Sequence, residues 1–137
     1  MPSNFQQLIA YQRSVELAHE LHTAVEYWPL LDRKTVGPQL IRSATSVGAN
    51  IAEASGRWHE RDRRQFLRIA RGSLLETEHW VTYSERRGLL AHGTSTRVDE
   101  VARLLNGLIR KRAPMAGKTA RVRDSAIPQF RNQQLKP

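Results

Sequence analysis

Apolar residues recur at three- and four-residue spacing through four successive stretches, and strict alternation is almost absent, so the chain predicts helices rather than strands. The first predicted helix opens after Ser3 or Asn4, either a suitable N-cap, and runs to about Tyr27, with Leu8, Tyr11, Val15, Ala18, Leu21 and Val25 as its inward stripe. Pro29 stops it. The second covers about 35–55, with Leu40, Ala44, Val47 and Ile51 inward and Gly56 suited to end it. The third covers about 60–87, its stripe being Phe66, Ala70, Ser73, Thr77, Trp80, Val81 and Ser84, and Gly88 follows as the stop. The fourth opens at the hydroxyl run Thr94 to Thr96 and covers about 96–112, carrying Val98, Val101, Leu105 and Leu108 inward. Connections of a few residues between helices of this length make neighbours antiparallel. The expected fold is therefore all-α, an up-and-down four-helix bundle over 1–112. Residues 113–137 lose the period and contain Pro114, Pro128 and Pro137 among scattered Arg, Lys, Gln and Asn, which predicts a disordered basic tail.

Charge changes this picture from a bare scaffold to one with a sided surface. The 137 residues carry 22 Lys plus Arg against 13 Asp plus Glu, a formal +9. Residues 1–37 are slightly acidic, whereas 38–112 hold 14 basic against 8 acidic residues and the tail 5 against 1. A localised basic field suits a polyanionic partner. No cysteine is present, so disulfides and thiolate metal sites are excluded and a reducing cytoplasm is the expected setting. The opening residues lack a basic segment followed by an apolar run, and no stretch reaches the ~18 apolar residues of a membrane span.

At about 100° per residue, Arg61, Arg64, Arg68 and Arg71 share one outward stripe on the third helix, opposite Phe66. Four guanidinium groups on one face repel each other unless solvated or bridged by phosphates, which each planar fork can accept bidentately. Glu60 and Asp62 can offset part of that charge. Gly48 falls on the packed side of the second helix, where it could admit Trp80 or Phe66. Gly72 lies outward in mid-helix, where glycine costs about 1 kcal/mol relative to alanine. A neighbouring subunit packed against Gly72 would explain it, with Asn50, Glu53 and Arg57 as candidate interface residues; alternatively Glu53 and Arg57 simply form an exposed pair.

Two Glu-x-x-His pairs, Glu16 with His19 and Glu76 with His79, raise a di-iron carboxylate reading. The helical wheel sends Glu16 and His79 outward, away from any shared buried metal. Gly117, Lys118 and Thr119 resemble the end of a phosphate-binding loop, but Arg112 stands where that loop needs glycine and no strand precedes it. Neither a metal, a cofactor nor a catalytic constellation is expected.

The stretches LIRSATSVGANIAEASGR at 40–57, QFLRIARGSLLE at 65–76 and LIAYQRSVELAHELH at 8–22 resemble the four-helix bundle family of 23S rRNA intervening-sequence proteins, which also includes the accessory variability determinants of diversity-generating retroelements. The resemblance covers residues 5–90 well and the fourth helix loosely. It implies a ring of five subunits with a basic surface, no catalytic activity, and RNA or a reverse transcriptase as partner. Arg42, Asn50, Glu53, Arg57, Arg68, Arg71, Gly72, Ser73 and Glu76 match the family pattern; Val47 with Gly48, and Ala54, depart from it, and the tail lies beyond the family boundary. Arg42 thereby joins Asn50, Glu53, Arg57 and Gly72 as an interface candidate. The expected function is that of a non-enzymatic, homo-oligomeric accessory protein binding RNA or DNA without sequence preference through Arg61, Arg64, Arg68 and Arg71. The alternative is an interaction scaffold whose arginines meet an acidic partner such as a reverse transcriptase.

Overall fold

Five helices account for most of the computed structural model, which describes residue 5 and residues 8–111: α1 (Ile9–Glu26), α2 (Leu30–Lys34), α3 (Val36–Ser55), α4 (Glu60–Arg86) and α5 (Thr94–Arg110). The expected caps Ser3 and Asn4 and the expected tail, 113–137, lie outside the described residues. α1 starts at Ile9, with Leu8 as its cap residue, rather than near residue 4. Neither proline nor apolar spacing announced α2, a single turn between Pro29 and Thr35. Trp28 holds that corner down: it is buried, and its Nε1 donates to the Leu89 carbonyl at 2.9 Å.

The ends of the long helices follow local chemistry. After α4, Gly88 takes a φ of 75°, which lets the Leu89 amide reach the Ser84 carbonyl at 2.8 Å and the Gly88 amide reach Glu85 at 3.0 Å. This is the left-handed glycine stop, satisfying carbonyls that the helix leaves open. Glu85 then accepts the Ser95 amide at 3.2 Å, placing a carboxylate at the electropositive start of α5.

α3 packs against α1 and α4, and α5 closes the ring against α4 and α1, giving the antiparallel four-helix bundle with α2 as a corner piece on α3. Leu21, Leu40, Ile51, Leu67, Val81, Val98, Val101 and Leu105 fill the centre.

Two inward stripes are rotated from their expected positions. On α1 the core side is Ala10, Ser14, Leu17, Ala18, Leu21 and Val25, while Leu8, Tyr11 and Val15 sit half-buried at the rim. Ser14 is accepted inside because its hydroxyl donates to the Tyr11 carbonyl at 2.8 Å. On α4 the buried residues are Arg63, Leu67, Ala70, Leu74, Thr77, Val81 and Ser84, with Phe66 and Trp80 only partly covered. Gly48 likewise makes room for α1, not for Trp80 or Phe66: a Cβ there would meet Ser14 Oγ and Val15 Cγ2 at 3.3 Å and Tyr11 Cε1 at 3.5 Å.

Candidate nucleic-acid interface

The four arginines of the expected stripe lie on the solvent side of α4 but differ in how they are engaged. Arg61, Arg68 and Arg71 are exposed, and among the described residues none of them has a carboxylate partner. Arg64 is half-buried, its Nε donating to Glu60 at 2.9 Å. The stripe is thus three open guanidinium groups and one partly neutralised one.

Arg63, whose charge argues for solvent although it continues the spacing of Leu67, Ala70 and Leu74, is 8% exposed. Its Nη2 donates to the Leu108 carbonyl of α5 at 3.1 Å and its Nη1 to Glu60 at 3.2 Å. Leu108 lies in the last turn of α5, where carbonyls lack intrahelical donors, so Arg63 acts as a cap supplied by a neighbouring helix. Burial lowers the pKa of this guanidinium below the ordinary arginine value; Glu60 pulls the other way and Arg64 adds to the lowering. It remains charged, as arginine does. One carboxylate, Glu60, thus serves both Arg63 and Arg64.

The candidate interface residues gather mainly along the α3–α4 seam. Asn50 Nδ2 donates to Ser46 Oγ at 3.0 Å, and Ser46 Oγ lies 2.9 Å from Ser73 Oγ across the helices. Glu53 and Arg57 form an ion pair at 3.3 Å, and the Arg57 guanidinium lies 4.3 Å above the Phe66 ring. Arg42 is exposed and hydrogen-bonds Gln39. Gly72 is exposed, and a Cβ built on it would meet nothing within 4 Å, so no packing inside the protomer demands glycine. Ile69, Leu75 and Tyr83 are large apolar residues left exposed on the same helix.

The Glu-x-x-His pairs do not converge. Glu16 is exposed and bound by Arg13 at 3.1 Å, while Glu76 accepts Trp80 Nε1 at 3.3 Å on the surface and His79 is exposed. Among the described residues no group of three or more His, Asp or Glu is placed to hold a metal ion, and no helix is long and apolar enough to cross a membrane. Gly117, Lys118 and Thr119 lie outside the described residues.

Comparison with known proteins agrees with the helical fold. The family profile described as 23S rRNA-intervening sequence protein matches residues 6–110, which takes in every described helix. A crystal structure from Bacteroides thetaiotaomicron VPI-5482, described as a protein of unknown function from the S23 ribosomal protein family, superposes with a TM-score of 0.67 at 25% identity. The match covers 75% of this chain and 96% of that one. No curated protein matches.

Proposed function

This chain belongs to the 23S rRNA-intervening sequence protein family, and from that premise we propose that it is a non-enzymatic, homo-oligomeric protein that binds nucleic acid, RNA foremost, through the backbone rather than the bases. The observation that carries the reading is the row Arg61, Arg68 and Arg71, exposed and, among the described residues, without carboxylate partners, on a chain of formal charge +9. Like charges held on one rigid helix repel in water and gain most when phosphates intervene. Neutralising phosphates releases counterions, so binding should weaken steeply with salt and depend little on sequence. Several copies in one assembly multiply weak attractions into useful affinity.

Gly72 supports assembly through its Ile69 side, which is exposed, has open space above it and turns toward α3, away from Arg68 and Arg71. Five subunits is the stoichiometry that the family resemblance implies. Native mass spectrometry should show a multiple of the 15.7 kDa chain, and a monomer at micromolar concentration would remove the oligomer.

Fluorescence anisotropy with a short labelled RNA, titrated across salt concentrations, tests the binding. Reversing charge in R61E/R68E/R71E should flatten the dependence of log K on log salt by about 0.7 for each phosphate no longer neutralised. An unchanged slope would overturn the nucleic-acid reading, and a stable complex with an acidic protein in its place would favour the scaffold alternative.

A further inference from the structure

The arginine row does not stand alone, because the packing of α5 brings a second row beside it. Two bonds define the flanks of α4: Ser73 faces α3 through Ser46 at 2.9 Å, and Arg63 faces α5 through Leu108 at 3.1 Å. At about 100° per residue, Arg64 and Arg71 lean to the α5 flank and Arg68 lies next to them. α5 can be oriented in the same way. Arg97 pairs with Glu20 and Glu100 with Arg13, both on α1, which fixes the α1 flank. Arg103 and Arg110 are seven residues apart and so nearly in line, and they point outward, away from the buried stripe Val98, Val101 and Leu105, on the side of Glu100 that leans toward α4. Both are exposed, and neither has a carboxylate partner among the described residues.

The Arg63 tie also sets the heights. The Arg63–Leu108 tie at one end and the Ser95–Glu85 bond at the other bracket antiparallel α5, so Arg103 and Arg110 lie beside the lower half of α4, the stretch that carries Arg64, Arg68 and Arg71. Packed helix axes lie roughly 8–10 Å apart, so the two outward rows run side by side and border a strip about one backbone wide. The strip has an end: Glu78, in line with Arg71, and Asp99, one turn before Arg103, make the upper part of the seam acidic.

We propose that one sugar–phosphate backbone lies along the lower α4–α5 seam, held by Arg68 and Arg71 from one side and by Arg103 and Arg110 from the other. This rests on the nucleic-acid reading above and adds α5 to it. Arg63 does not touch the phosphates; it positions the two rows by tying the start of α4 to the end of α5.

Three double variants of the full chain decide the matter, each binding a labelled single-stranded oligouridine of ~20 nucleotides over a salt series. R68E/R71E and R103E/R110E should each lower the salt slope by about 1.4, at roughly 0.7 per phosphate. R33E/K34E makes the same change of charge at two exposed positions on α2, off the seam, and should lower it far less. If R103E/R110E behaves like the α2 control while R68E/R71E weakens binding, the seam is wrong and the α4 row survives. If all three fall equally, total charge alone governs binding and the seam is again overturned. If none moves the slope, the nucleic-acid reading fails with it. The milder R103Q/R110Q should lower the slope in the same direction, and its melting temperature checks that the fold is kept.

Discussion

On the α3 flank of α4, Arg57 is engaged twice within its own protomer, by Glu53 at 3.3 Å and by the Phe66 ring at 4.3 Å. On the α5 flank, Arg68, Arg71, Arg103 and Arg110 find no carboxylate among the described residues. The seams beneath differ in the same sense. Between α3 and α4 a ladder of side-chain groups runs from Asn50 through Ser46 to Ser73, and Thr77 Oγ1 lies 3.0 Å from Ser43 Oγ. The α4–α5 seam is built on Leu67, Leu74, Val101 and Leu105, with Arg63 as its buried polar tie. Guanidinium groups satisfied inside the fold hold helices together; those left over create a field that only an external anion can relieve. Residue type alone would treat all of them as one basic surface.

That contrast can be broken experimentally. The largest effect should come from Arg63→Ala, which leaves the Leu108 carbonyl without its donor and empties a buried volume. Removing a charged hydrogen-bond partner inside a fold costs on the order of 2–3 kcal/mol, read as a lower midpoint in urea unfolding at fixed protein concentration. A midpoint within error of the parent would show that Arg63 does not tie α4 to α5. Next, Thr77→Val removes the fully buried hydroxyl that donates to the Ser73 carbonyl at 2.8 Å while keeping the shape. The destabilisation should be about 1 kcal/mol by the same measurement, because the Ser43 hydroxyl facing it is deprived of a partner too. Stability equal to the parent would mean the ladder contributes nothing to the α3–α4 seam. The smallest effect is expected at Arg68→Ala, within about 0.5 kcal/mol of zero, since an exposed residue without a partner stabilises little. A destabilisation as large as that of Arg63→Ala would place Arg68 among the structural arginines and erase the distinction.

Much of the architecture could be read from the spacing of apolar residues, because Leu40, Val47 and Ile51 or Val98, Val101 and Leu105 point one way on any helical wheel. The rotation of α1 and α4 could not. Hydrophobicity favours Val15 over Ser14 as a core residue, yet Ser14 is the one inside, since a small residue whose hydroxyl bonds its own helix suits the close approach beside Gly48. Phe66 and Trp80 misled for a related reason: large aromatic side chains cover a rim as readily as they fill a centre. Arg63 continues the spacing of Leu67, Ala70 and Leu74, but its charge argues for solvent, and the acceptor that permits its burial stands 45 positions away. Of the surface, the α4 row was visible from one helix alone. Arg103 and Arg110 carried a signal, their seven-residue spacing on the side away from Val98, Val101 and Leu105, but its meaning needs the knowledge of which helix stands beside them.

The Arg63 tie also couples two stretches far apart in the chain. When the last turn of α5 frays, the Leu108 carbonyl leaves and a guanidinium is stranded in a partly dry place; when the first turn of α4 frays, α5 loses its cap. Opening one end therefore weakens the other, and Arg63→Ala should speed deuterium exchange of backbone amides at both ends. A phosphate chain resting above them would slow both together, so the signature of binding would appear in amides that no ligand atom touches.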